Sequence, residues 1–369
     1  MRRLLRYYRQ FEGLSEQEVN AKLREDATGR RAEALARIEP LDLSRTTWAE
    51  YPPSAVVNAI TYAARRGLHR YLDPHAAALR SELAHRLDVE EERVVVGGGI
   101  AQLMGAAAQA LLEPGDELVT PWPSYPLYPV IARRSRGHAV PVPGFGAEAV
   151  LRAINDRTRI VALCNPNDPT GELVAADDLA ALLEALPERV VVLLDEALRD
   201  FVDAEPRDAA LALLAAHPRL LVFRTFSKAW GLAGLRCGYA VGGPGAEALL
   251  TQLEPELGLN ELAQAGALEA MRTASRIVAG RAAAVARERA RLASGLGDLG
   301  YDVATSQANV LWLAAPRLDG AELARRLERT GLIVALGDAA RVRVTVPPGR
   351  EDADRALRAL ESAIGARRG

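Results

Sequence analysis

The stretch RTFSKAWGLAGLRCG spans Arg224–Gly238, and the lysine inside it decides how the rest of the chain is read. The protein has 46 basic residues, yet lysine occurs only at Lys22 and Lys228. Arginine replaces lysine wherever a positive charge or a long amphipathic stem is enough, but it cannot release its proton to become a neutral amine nucleophile. A lysine kept at 228 therefore points to amine chemistry, against the ordinary alternative of a solvated surface lysine. The apolar run LLVF just before it (220–223) reads as a buried strand. Thr225, Ser227 and Lys228 then stand at a strand's carboxyl end, where open parallel sheets bind their ligands.

Working outward, similar Val/Leu runs recur as RVVV (93–96), ELVT (117–120), RIVALC (159–164) and RVVVLL (189–194). Between them lie segments of helical character: SAVVNAITYAARR, PHAAALRSELAHRL, IAQLMGAAAQALLEPG ending at Gly115, AADDLAALLEAL and RDAALALLAA. Short continuous apolar runs suit strands buried on both faces of a mostly parallel sheet with helical crossovers. The expected fold is α/β: a three-layer α/β/α large domain over 46–245. After Gly242-Gly243-Pro244-Gly245 the character changes to a long Ala/Arg/Leu helix (261–294), then YDVAT, NVLWLA, LIVAL and RVRVTV with helices between and after. That predicts a smaller α+β domain over 246–369. Residues 1–45 read as an Arg/Glu-rich helical arm packing on the small domain or on a partner subunit.

The formal net charge is −2 with the signs interspersed, which excludes a concentrated basic field for nucleic acid or anionic membrane and favours small-molecule partners. No stretch reaches the roughly 18 apolar residues of a membrane span. Cys164 and Cys237 lie far apart in apolar contexts, which fits two buried thiols in a reducing cytoplasm rather than a disulfide framework or a metal site.

Four strand ends carry polar residues. Gly97-Gly98-Gly99 leads into a helix at Ile100, either as a tight turn or as a helix start open to phosphate. CNPNDPTG (164–171) is either an ordinary Pro/Asn turn or a loop holding Asn165, Asn167 or Asp168 toward a site. At Asp195-Glu196 a carboxylate ends a buried strand, which asks for a cationic partner or for solvent. Thr225, Ser227 and Arg236 suit a phosphate clamp, and a neutral Lys228 amine beside it can form a Schiff base. A phosphate cradle, an acid and such a lysine are what pyridoxal phosphate requires.

With these motifs in view the chain resembles the fold-type I pyridoxal-phosphate-dependent aminotransferases of class I/II, especially their histidinol-phosphate aminotransferase branch. RYLDPHAAALR looks like the family's R-Y-P-D-P segment, and EPGDELVTPWPSYPLY like its E-P-G-D and P-T-Y segments. RTFSKAWGLAGLRCGY matches S-K-x-x-x-L-A-G-L-R-x-G, and RVRVTV looks like its R-I-T strand. The resemblance implies pyridoxal 5'-phosphate as cofactor, with Lys228 as the Schiff-base lysine and proton shuttle. It further implies Asp195 on the pyridine nitrogen and Tyr125 stacked on the ring. Thr225, Ser227, Arg236 and the backbone at Gly99 and Ile100 would hold the phosphate. Tyr71 would reach the partner subunit's phosphate in a homodimer with shared sites, and Arg343 would take the substrate α-carboxylate.

This chain departs from the pattern at several places, among them Gly99-Ile100-Ala101-Gln102 where the family has a G-S-D-E helix start. Asp168 stands where N-N-P-T-G has an asparagine that donates to the cofactor's ring oxygen, and Leu198 stands where D-E-A-Y has a tyrosine that donates to the same oxygen. Losing both donors predicts that the Schiff base holds its proton to higher pH. Gly331-Leu332-Ile333-Val334-Ala335-Leu336 lacks the arginine of G-I-x-V-R-D, which points away from histidinol phosphate and toward a less charged aromatic or aliphatic donor. The implied reaction is transamination between an amino acid and a 2-oxo acid. A decarboxylase similar to threonine-phosphate decarboxylase and a non-catalytic cofactor-binding homologue are the alternatives, because scaffold and cofactor do not decide which bond breaks.

Overall fold

The computed structural model describes residues 39–365 and, before them, residues 15, 17–18, 20–22 and 24–25. Most of the expected arm over 1–45 therefore lies outside the described residues. Its end is not helical: Leu41–Asp42 is a short strand pairing in parallel with Leu332–Ile333.

The apolar runs form a seven-stranded sheet: β1 (Val94–Gly97), β2 (Glu117–Trp122), β3 (His138–Pro143), β4 (Thr158–Cys164), β5 (Val191–Asp195), β6 (Leu220–Thr225) and β7 (Gly238–Gly242). Their order across the sheet is β1-β7-β6-β5-β4-β2-β3. The pairs within β6 to β3 are parallel, and β7 runs antiparallel to both its neighbours. The sheet is buried on both faces because side chains alternate along each strand. Val161, Leu163, Val192, Leu194 and Val222 join one apolar cluster, while Ile160, Ala162, Leu193, Leu221 and Phe223 join another. Each fully buried Leu, Ile or Phe contributes about 1.5–3 kcal/mol, so two separate cores clamp the sheet between its helical layers.

A second, antiparallel sheet has β8 (Asp302–Val303), β9 (Val310–Ala314), β10 (Ala335–Leu336) and β11 (Arg341–Thr345) in the order β10-β11-β9-β8. LIVAL is thus split: Leu332–Ile333 pairs with Leu41–Asp42, and Ala335–Leu336 pairs with β11. Helix Glu261–Thr273 packs on helix Ser54–Gly67.

Three helical expectations are corrected. The helix after β1 runs Ile100–Leu111 and stops short of Gly115, since Leu112 turns extended two residues before Pro114. The single helix over 261–294 is two, Glu261–Thr273 and Ser275–Asp298, separated at Ala274. RDAALALLAA keeps only a 3-10 turn at Leu211–Leu213. The carbonyls of Pro206 and Arg207 accept from Arg199 and Arg224, and Asp208 accepts from Arg224. Buried guanidinium groups thereby claim the residues that a helix start would need.

Candidate active site

The carboxyl ends of β4, β5 and β6, the residues after β2 and the start of helix Ile100–Leu111 converge on one cleft. Of the residues expected there, Ile100, Tyr125, Asp168, Asp195, Thr225, Ser227, Lys228 and Arg236 line it. Three others do not. Gly99 lies against Arg236, Arg343 contacts the cleft through Asp168, and Tyr71 is fully exposed.

Lys228 follows the strand end and donates from Nζ to the Thr46 hydroxyl. Burial pulls its pKa below the ordinary lysine value; the nearby Asp168 carboxylate opposes that shift and the Arg343 charge adds to it. The amine is therefore closer to its nucleophilic form than a surface lysine is.

Asp195 ends β5 and is buried. Its Oδ1 accepts from the Ala197 N–H at 3.0 Å and its Oδ2 from the Tyr128 hydroxyl at 3.1 Å. Burial raises its pKa to about 6, against those two hydrogen bonds and the charge of Lys228. Two neutral donors do not match a full charge at full burial. The carboxylate is thus suited to a cationic N–H. Glu196, on the opposite face, has what Asp195 lacks: Arg224 Nε at 2.8 Å and Arg199 Nε at 3.6 Å. The cationic partner expected for this pair belongs to Glu196 alone.

At the other end of the cleft Thr225 Oγ1 and Ser227 Oγ are 3.0 Å apart, and Arg236 Nη1 reaches Ser227 Oγ at 3.4 Å. Arg236 sits at φ +53°, a left-handed conformation uncommon for a residue with a side chain. Gly99 has φ +88°, and a Cβ there would lie 2.8 Å from Arg236 Nη2. At Gly238 a Cβ would meet the Ile100 nitrogen at 3.0 Å. The two glycines let an arginine, two hydroxyls and a helix start share one small volume, and that donor set fits a phosphate dianion.

In the loop after β4, Asn165 exchanges hydrogen bonds with the backbone of Val174. Asn167 bonds Ser124, the Pro123 carbonyl and Thr170. Both asparagines hold the loop, and Asp168 alone of the three faces the cleft. Its Oδ1 takes Arg343 Nη1 at 2.6 Å.

Sequence reasoning missed Tyr128, Ser44 and Thr46. Tyr128 stands three residues after Tyr125, and its ring meets that of Tyr125 edge-on at 6.1 Å between centroids. The i, i+3 spacing at a helix start was the available signal. Ser44, whose carbonyl accepts from Arg343, and Thr46 come from a segment remote in sequence and carried none.

A family model for aminotransferase class I and II matches residues 39–360. The chain belongs to the class I and II aminotransferases. It is 38% identical to the aromatic amino acid aminotransferase of Corynebacterium efficiens, over 88% of this chain and 93% of that one. It is 37% identical to that of Streptomyces coelicolor, over 80% and 83%. Among solved structures it is similar to histidinol-phosphate aminotransferase from Sinorhizobium meliloti in complex with pyridoxal-5'-phosphate, with TM-score 0.80, 26% identity and coverage of 92% and 94%. A double mutant of Thermus thermophilus aspartate aminotransferase gives TM-score 0.78 at 25% identity, covering 97% and 98%. This aminotransferase therefore has the fold-type I architecture and is pyridoxal-phosphate-dependent. No described helix is long and apolar enough to cross a membrane.

Proposed function

We propose that this aminotransferase moves the amino group of an aromatic amino acid to a 2-oxo acid, with Lys228 as its reacting amine. The observation that carries the chemistry is the juxtaposition in one cleft of a buried amine, a buried carboxylate without an arginine, and an arginine–hydroxyl–glycine cradle. The choice of donor rests on the relatives, which are named aromatic amino acid aminotransferases, and on a lining that includes Ile100, Tyr125, Leu127 and Leu198. The same names favour transamination over the decarboxylase and the non-catalytic alternative.

The residues present fit pyridoxal phosphate, which when bound supplies an aldehyde for the amine and an electron-accepting ring. Thr225, Ser227, Arg236 and the backbone at Gly99 and Ile100 would hold its phosphate. Asp195 would accept a ring N–H, and Tyr125, which lines the same cleft, would pack against the ring. Lys228 would take the proton from the donor's α-carbon, a role that the depressed pKa given by burial suits. Arg343 receives the donor α-carboxylate.

We also infer a homodimer in the cytoplasm, built from a larger domain over 46–245 and a smaller one over 246–369. Leu68, Tyr71 and Leu257 are large exposed side chains. They lie on neighbouring segments, since Gly258 packs against Leu72 and Pro74. A second subunit over this face would bury them and bring Tyr71 to the partner's phosphate. Incubating the cofactor-loaded protein with a panel of amino acids tests the donor. Phenylalanine or tyrosine should give the oxo acid fastest, whereas preference for histidinol phosphate, or release of carbon dioxide, would refute the assignment.

A further inference from the structure

Arg343 is the cation assigned to the donor's α-carboxylate, yet it already carries a carboxylate. Asp168 Oδ1 accepts from Nη1 at 2.6 Å, the Ser44 carbonyl accepts from Nη2, and Nε is buried without a hydrogen-bond partner. The two side chains are only 10% and 16% exposed. Both terminal nitrogens thus face protein acceptors, and a full negative charge matches the guanidinium. The two cations that line the cleft itself are committed elsewhere, Arg236 to the phosphate cradle and Lys228 to the reaction. A carboxylate arriving at Arg343 must share it with Asp168 or displace it, at a separation of a few ångströms and away from bulk water. Like charges so placed repel strongly enough to cost about tenfold or more in affinity. An amide at 168 would leave the hydrogen bond to Arg343 and remove the charge.

We propose that Asp168 is a specificity-determining residue that competes with the substrate carboxylate for Arg343, so that this enzyme binds carboxylates more weakly than its own cation would allow. The proposal rests on the assignment of Arg343 to substrate and deepens it.

The test is equilibrium binding of 3-phenylpropanoate, an aromatic monocarboxylate with no amino group to transfer, to the cofactor-loaded protein by titration calorimetry. Asp168→Asn should bind it about tenfold more tightly than the wild type, and Asp168→Ser should shift in the same direction. In an Arg343→Gln background the advantage should vanish. Equal or weaker binding by Asp168→Asn, an advantage that survives Arg343→Gln, or no binding by any variant would overturn the proposal. Thermal melts without ligand show whether each variant is folded. Turnover of amino acids by the wild type is a separate reading. An enzyme with the expected binding ratio and no turnover would sink the proposed function while leaving the competition at Arg343 in place.

Discussion

Asp195 and Glu196 are neighbours at one strand end and opposite in circumstance. Successive side chains leave a strand on opposite faces, so Asp195 enters the cleft and Glu196 enters the far layer. Glu196 is fully buried between Arg224 and Arg199, which are tied in turn to Asp208 and Glu205. Asp195 is equally buried and receives only a tyrosine hydroxyl and a backbone N–H. A charge met by arginines inside the protein is structural. One left short of a direct ionic partner, with its pKa raised, is the kind of group that marks a candidate ligand site.

Four outcomes test that contrast, and the largest lies on the cleft side. Lys228→Ala should lower transamination by about a thousandfold or more, measured as single-turnover formation of the oxo acid, with the fold kept. Next, Glu196→Ala should cost about 3–5 kcal/mol in denaturant unfolding, because two buried guanidinium groups lose their carboxylate. Folded molecules should still react at near the wild-type rate. If that variant unfolds normally but is inactive, the contrast fails.

Asp195→Asn should act in the reverse sense. The folded-state pKa of about 6 lies above the ordinary value of 3.8, so folding favours the protonated form. The resulting contribution is full below about pH 4 and is lost as pH rises through 6. Cofactor-free Asp195→Asn should therefore melt higher than the wild type at pH 8, by about 2–3 kcal/mol, and the gain should disappear near pH 4. Its turnover should fall by about a hundredfold. The smallest effect is expected at Leu198, a buried side chain beside Asp195 in the cleft. Leu198→Tyr restores a hydroxyl donor, and the pH at which the holo-protein's visible absorbance changes should drop by about one unit. An ordinary transition near neutrality in the wild type would remove the reason for making the variant.

The sheet and most of the cleft are legible in the sequence because local rules wrote them. Valine runs such as Val190–Val192 can be satisfied only by burial on both faces, and ligand residues follow the strand ends. Gly99 follows the end of β1 by two residues, while Arg236 and Gly238 stand at the start of β7. The Asp168–Arg343 pair joins residues 175 apart, and Thr46 meets Lys228 across 182 positions. Neither contact leaves a periodicity or a turn signature. The break at Ala274 is equally silent, since alanine is the best helix former. RDAALALLAA fails as a helix for a tertiary reason: Arg199 and Arg224 claim its first polar groups.

Every role assigned to the cleft depends on the amine of Lys228 being the group that joins the cofactor. Reduction of the holo-protein with borohydride followed by peptide mapping addresses this directly. The pyridoxyl label should appear on the peptide carrying Lys228 and on no other. A label at Lys22, or none at all, would contradict the account.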